Sequence, residues 1–267
     1  MSLPTEISCQ GAPRDLGLDQ GTACAEAIRD RVRCVGGRGD WLGRWRPFDG
    51  GLARDRLTRR DLKRHFPHLE EWLIGLARGA DVPEIALASL LARELGTECE
   101  GGALRAGFDA GGRIVAHPPS PGVLRRVAPD HGFASVEWTL PWLPGALAGV
   151  NRTGLAGAVV SRAAEDAAAC AAPAFLLLQN CVAQFETVDA AAEWCERRPA
   201  GGQAELLFAD ARGGRAAVSV AGEKRGRLEP ARGTEPCGDA GGLRLLLDAQ
   251  APALEATAGQ ERRWLEP

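Results

Sequence analysis

The chain has 267 residues, with 32 Lys and Arg against 35 Asp and Glu, a formal charge of −3 and a pI near 5.9. No basic excess points to nucleic acid, and no acidic block points to a solvated tail. Its 45% hydrophobic content suits a globular protein with a substantial core. No stretch approaches the roughly 20 consecutive apolar residues of a membrane span, so no membrane partner is expected.

The eight cysteines are Cys9, Cys24, Cys34, Cys99, Cys170, Cys181, Cys195 and Cys237. They form no C-x-x-C pair, and no histidine stands at zinc-ligand spacing from two of them, so neither a metal nor a cofactor is expected. The opening Met1-Ser2-Leu3-Pro4 has neither a charged head nor an apolar run, which reads as a cytoplasmic chain with free thiols.

In chain order, Gly11-Ala12-Pro13-Arg14-Asp15-Leu16-Gly17 and Gln20-Gly21 precede a helix carrying Ala23, Ala27, Ile28 and Val32. Residues 36–60 show no clear period, and a loop or irregular helix fits them; Trp41, Trp45 and Phe48 are expected to fold back onto the body. Pro67 opens an amphipathic helix with Leu69, Trp72, Leu73 and Leu76 at i, i+3, i+4 and i+7, stopped near Gly79. His65 and His68 flank Pro67 and read as surface or capping residues.

Pro83 opens a second helix, which ends at Gly96. Thr97-Glu98-Cys99-Glu100-Gly101-Gly102 leads into apolar runs at 103–108 and 113–117, joined by Asp109-Ala110-Gly111-Gly112, which is a hairpin signal. A lone thiol between a helix and a first strand is open to substrate, whereas the commoner reading of any single cysteine is a small core hydrophobe.

Beyond a rigid Pro118-Pro119-Ser120-Pro121 connector, strands are predicted over 133–140, with Phe133, Ser135, Glu137 and Thr139 on one face, and over 155–160 after the turn Gly149 to Gly154. Helices are predicted over 175–181 and 188–197, the second opened by Thr187 or Asp189. A hairpin follows over 206–220, around Ala211 to Gly214. Residues 1–228 read as a single domain. Residues 229–267, rich in Gly, Ala, Pro and charge, read as an irregular C-terminal segment packing on it, with 229–242 lacking regular structure. Helices first, neighbouring strands and antiparallel pairing give an α+β layout.

Taken in order, these pieces resemble the penicillin-acyltransferase-like family of N-terminal-nucleophile hydrolases. They are Gly11 to Gly17, the helix Leu69 to Ala80, Cys99 with its hairpin, Gly149-Val150-Asn151-Arg152-Thr153-Gly154-Leu155, and Leu206-Leu207-Phe208-Ala209-Asp210. The likeness spans about residues 7–220. It implies a four-layer α/β/β/α sandwich with antiparallel sheets and a precursor that cleaves its own Glu98–Cys99 bond. It also implies a cysteine-dependent amide or thioester hydrolase or acyltransferase of bacterial secondary metabolism, with antibiotic biosynthesis among its settings. The freed α-amino group, with a pKa near 8, would serve as the thiol's own base.

The resemblance makes Cys99, Asn151 and Ser161 the catalytic residues; Ser161 stands ten residues past Asn151, where the family has an oxyanion-hole asparagine. Arg14, Glu98, Glu100, His117 and Glu205 are the expected substrate-binding residues. The partner is a small-molecule acyl or amide substrate, free or on a carrier, and a homodimer is left open. Glu98 and Glu100 replace the family's small or hydroxyl neighbours of the cysteine, and two carboxylates beside a thiol raise its pKa. Pro118 and Ser120 stand where Asn and Asp are usual, and Glu205 where an Asn is expected. A catalytically lapsed binding module in the same fold, or a different reaction in the same pocket, is therefore the alternative reading.

Overall fold

A tight reversal sets the architecture: strand β1 (Thr5–Gly11) passes directly into helix α1 (Pro13–Ala23), which folds back over the sheet that β1 has just joined. The computed structural model describes residues 4–36, 51–93, 104–118, 122–162, 172–221, 224–228, 243–258 and 261–267. Helices α2 (Ala25–Gly36), α3 (Gly51–His65), α4 (Pro67–Ala80) and α5 (Glu84–Arg93) follow, then strands β2 (Arg105–Phe108) and β3 (Ile114–His117). Next come β4 (Val123–Pro129), β5 (Ser135–Thr139), β6 (Ala148–Asn151) and β7 (Ala156–Arg162). Helices α6 (Phe175–Gln184) and α7 (Val188–Arg197) lead to β8 (Gln203–Ala209), β9 (Arg215–Ala221) and β10 (Lys224–Leu228). The chain closes with β11 (Leu243–Asp248), β12 (Ala253–Ala258) and β13 (Glu261–Leu265).

The strands form two sheets, of order β1-β4-β5-β6-β7-β8-β9-β10 and β13-β12-β11-β3-β2. The pairing is antiparallel apart from β1 on β4, which runs parallel. The smaller sheet lies across β5 to β8 of the larger one. Helices α1, α6 and α7 pack on strands of the larger sheet, α4 lies along α1, and the helices gather on that side among the described residues. The expected α+β sandwich with antiparallel sheets is thus the architecture found.

Most elements with a strong hydrophobic period lie where the sequence puts them. Helix α4 opens with Pro67 in its first turn and stops at Asp81, whose φ of 55° is left-handed and whose N–H returns to the carbonyls of Ala77 and Arg78. Helix α7 is capped by Thr187, whose hydroxyl accepts from the Ala190 N–H. The β2–β3 hairpin turns at Asp109 to Gly112 as expected.

Several stretches differ from expectation, among them strands β1, β4 and β10, over which the sequence predicts no element. Residues 51–65 are a regular helix, where a loop or irregular helix is expected over 36–60, because the inward side of α3 is filled by Thr58, Asp61 and Leu62, a mixed face that hides the period. Residues 13–23, which the glycines disguise, are helical too. The C-terminal segment expected to be irregular holds three strands, and β11 pairs with β3, so residues 243–265 complete the smaller sheet. Residues 229–242, and Trp41, Trp45 and Phe48, lie outside the described residues.

The α1–α4 contact explains the glycines. A Cβ at Gly17 would sit 2.0 Å from the Trp72 carbonyl oxygen, and one at Gly75 would sit 2.0 Å from that of Arg14. At Gly21 and Gly79 the distances to the facing carbonyl oxygens of Leu76 and Leu18 would both be 2.4 Å. Each helix therefore offers two glycines at i and i+4, and the backbones touch.

Beneath that contact lies a buried polar cluster. Arg125 on β4 and Glu137 on β5 are opposed in register and both are 0% exposed. Arg125 Nε and Nη2 donate to Glu137 Oε2 at 3.0 and 2.5 Å, Nη1 donates to Gln20 Oε1 at 2.5 Å, and Nη2 also donates to Gln179 Oε1 at 3.0 Å. The guanidinium lies 4.5 Å from the ring centre of Trp72, whose indole N–H donates to Gln20 Oε1. Ser135 and Gln179 donate to Glu137 Oε1, and Gln20 donates to the carbonyls of Pro141 and Leu143.

Two stability measurements test this account. Gly17→Ala is expected to lower the unfolding free energy by about 2–4 kcal/mol in urea titration, since the obstacle is backbone rather than a movable side chain. Gly226→Ala on β10, which meets nothing within 4 Å, should change it by under about 0.5 kcal/mol. In a double-mutant cycle, Arg125→Met alone should cost about 3–5 kcal/mol by orphaning a buried carboxylate. Arg125→Met with Glu137→Leu should cost clearly less than the two single changes summed; simple additivity would show the pair to be uncoupled.

Candidate functional site

Register divides the sandwich into two ends. At one end the β2–β3, β6–β7, β8–β9 and β11–β12 turns meet. Arg215 Nη2 donates to the Gly111 carbonyl at 3.3 Å, and a Cβ at Gly154 would lie 2.3 Å from the Ala249 carbonyl oxygen. Three of these turns begin with an Asp-Ala pair whose carboxylate is spent on the turn itself. Asp109 accepts from Arg113 N and Nε, both at 2.8 Å, and Asp248 accepts from Gln250 N and Ala251 N. Asp210 accepts from Arg212 N and Gly214 N, and also from Val188 N at 2.9 Å, so it anchors the first residue of α7. A cavity of about 270 Å³ lies between the turns, lined by Arg113, Arg215, Asp210 and Asp248 among others.

At the opposite end β2 enters the smaller sheet. Its first residue, Arg105, is paired with His117, the last of β3. Facing them are the end of β7 and the start of β8, where Ser161 pairs with Ala204, and Val160 with Glu205. His117 and Glu205 are half-buried. Three of the expected site residues, His117, Ser161 and Glu205, therefore share one end of the sandwich with the start of the strand that follows Cys99. Cys99, Glu98 and Glu100 themselves lie outside the described residues.

Asn151 and Arg14 do not join that group. Asn151 sits in the β6–β7 turn, so the ten residues to Ser161 include most of strand β7, roughly 17 Å at about 3.3 Å per residue. Its amide donates to the Val182 and Phe185 carbonyls, both at 2.8 Å, and its oxygen accepts from Thr153 N, Thr153 Oγ1 and Leu155 N. Both amide hydrogens are thus committed, and Asn151 clasps the turn to the end of α6. Arg14 lies on α1 near the turn end, on the helical side, in an exposed ion pair with Glu71 at 2.7 Å. A spacing counted along the chain passed through a turn in one case and a chain reversal in the other.

Of the five described thiols, Cys34 is exposed and Cys9, Cys24, Cys181 and Cys195 are buried. Desolvation pushes Cys9 up to about 12 and Cys24 up to about 11, with Arg125 opposing in each case. Cys181 is also held well above the ordinary thiol range, first by burial and then by its hydrogen bond with Cys195, Sγ to Sγ 3.4 Å. These three stay protonated and unreactive at neutral pH. Among the described residues, no three His, Cys, Asp or Glu side chains gather as metal ligands, and no helix is long and apolar enough to cross a membrane.

No family model matches this chain, and neither does any curated protein. Among solved structures it is similar to penicillin V acylase from Agrobacterium tumefaciens, with a TM-score of 0.41 and 12% identity, over 61% of this chain and 81% of that one.

The turn end yields a pH prediction. Burial alone would raise the Asp109 carboxyl, but the backbone and side-chain hydrogen bonds and the charge of Arg113, with the Gly112 N–H, outweigh it and hold the carboxyl below its usual range. A depressed carboxylate contributes stability above its unfolded pKa and loses it as the pH falls through the folded one. Asp109→Asn should therefore be less stable than the parent at pH 7, and the gap should narrow as the pH is taken below about 4 in denaturant titrations. A gap independent of pH would remove the charge from the account.

Proposed function

We propose that this chain is a cysteine-dependent hydrolase or acyltransferase acting on an amide or thioester of a small molecule, with Cys99 as the nucleophile. The observation offered in support is the strand register: Ser161 and Glu205 lie at the end of the β7–β8 pair away from the β6–β7 turn, and His117 is paired with Arg105, which starts the strand that follows Cys99. Burial leaves Cys9, Cys24 and Cys181 protonated, so they do not compete for the role.

In this reading water hydrolyses the Glu98–Cys99 peptide bond, leaving a carboxylate on Glu98, and the new α-amino group of Cys99 takes the thiol proton. The sulfur attacks the substrate carbonyl, and the tetrahedral intermediate collapses to a thioester as the protonated amine or thiol leaves. Water or an acceptor amine then attacks the thioester and returns the proton to the sulfur. Ser161 is the proposed oxyanion donor, a role in which one hydroxyl replaces an amide. His117 and Glu205 would contact the polar part of the substrate. The setting we infer, from the resemblance alone, is bacterial secondary metabolism.

The position of Asn151, distant from Ser161 and with its donors occupied, favours a second reading: a fold retained for binding after catalysis lapsed. Intact mass separates the two. Two fragments parted before Cys99 in the purified protein, and a single unbroken, folded chain for Cys99→Ala, are the expected results. Cys99→Ser should slow turnover of a panel of amide and thioester substrates by at least about 100-fold. An unbroken parent chain with no turnover points to the binding module, and full activity in Cys99→Ala would end the thiol mechanism.

A further inference from the structure

Helix α3 carries a basic stripe. Arg56, Arg60, Lys63 and Arg64 stand at i, i+4, i+7 and i+8, on one side of the helix, and all four are exposed. The opposite side, Thr58, Asp61 and Leu62, is buried in the packing of α3 against α4 and α5. Among the described residues no carboxylate pairs with Arg56, Lys63 or Arg64. Arg60 is held by Asp61 at 2.7 Å, while Arg59 is shared between Glu84 at 2.6 Å and Glu70 at 3.8 Å. The stripe borders a groove of about 430 Å³ lined by Arg56, Arg59, Arg60, Lys63, Glu70 and Ile85. Two large apolar side chains stand out into solvent beside it, Leu57 at 43% and Ile85 at 36% exposure.

We infer that this face docks an acidic, amphipathic α-helical segment of a partner protein. The stripe is about 12 Å long at 1.5 Å per residue, so its cations match carboxylates at i, i+4 and i+7 of an apposed helix. Leu57 and Ile85 supply the apolar contact such a helix would cover, which is the mixture of a few anchors and a charged rim found at protein interfaces. A duplex nucleic acid fits less well, because the stripe spans few phosphates and the chain as a whole carries −3. A lipid surface fits less well too, since a helix lying in a membrane interface needs a broad apolar face, and the side of α3 opposite the stripe is buried in the protein. A small anion would call for cations converging on one point rather than spread along two turns.

The test uses the full chain and a synthetic amphipathic helical peptide with glutamates at i, i+4 and i+7 and leucines beside them, read by fluorescence anisotropy. The glutamate peptide should bind at least about tenfold more tightly than its glutamine counterpart, and less tightly as salt rises. Arg56→Glu with Lys63→Glu should weaken binding about tenfold or more, and Arg56→Gln with Lys63→Gln by less. Arg197→Glu on α7 should leave it unchanged. Failure of the glutamate peptide to bind, equal binding of the two peptides, or indifference to the paired changes at 56 and 63 overturns the inference. Tighter binding of phosphatidylserine vesicles or duplex DNA through the same two residues also overturns it, in favour of that ligand.

Discussion

The structure depends on how it accommodates one ion pair. Arg125 and Glu137 face each other across two strands with no water in reach, and removing two charges from solvent costs several kcal/mol each unless every donor and acceptor is answered. Here they are answered from three helices at once: Gln20 from α1, Trp72 from α4 and Gln179 from α6. Gln20 and Gln179 in turn fasten the backbone after β5, at Pro141, Leu143 and Ala146. The cluster is thus a locating device. It admits one placement of the helices on the sheet, because any other strands a buried charge.

The close approach of α1 and α4 follows from the same requirement. Trp72 must hold its ring over the guanidinium, with the centre 4.5 Å away, and also reach Gln20 with its indole N–H, which brings the α4 backbone against α1. Gly17 and Gly21 bracket Gln20 in sequence, and Gly75 and Gly79 lie one and two turns beyond Trp72. Side chains at these four positions would separate the helices and lift the indole off its partners. Glycine is poor inside a helix on its own account, by about 1 kcal/mol, so its use here is set by packing rather than by local preference.

Legibility followed the range of the interactions. Helices α4 and α7 and the hairpins β2–β3 and β8–β9 were readable, because an apolar period, a cap or a turn opened by Asp and closed by two glycines lies within a few residues. The polar alternation Ser135, Glu137, Thr139 was visible too, but nothing local says that such a face is buried under helices that also bring Gln20 and Trp72. Helix α1 was hidden by the glycines that its contact with α4 demands, and α3 by Thr58 and Asp61 on its inward side. Strands β11 to β13 were missed because β11, which joins them to the smaller sheet, finds its partner β3 more than a hundred residues earlier. For the candidate site, Ser161 and Glu205 lie on neighbouring strands because β7 pairs with β8 across some forty residues of chain, which no local pattern shows. A turn intervenes at Asn151 and a reversal at Arg14, and there sequence distance and spatial distance part.

The two ends of the sandwich differ in what their polar groups are free to do. At the turn end, Asp109, Asp210 and Asp248 are each satisfied by backbone N–H groups within their own turns, and Asn151 by carbonyls of α6. Such groups hold conformation and have little left for a ligand. At the other end the residues stand where strands start or stop, and the sheet ladder, which consumes main-chain donors along a strand, runs out. A group placed there is held by the backbone of a strand end rather than by a turn. The same division explains the cysteines. Cys9, Cys24 and Cys181 lie under the helices, where desolvation keeps the proton on sulfur, so a reactive thiol in this fold has to come from outside that layer.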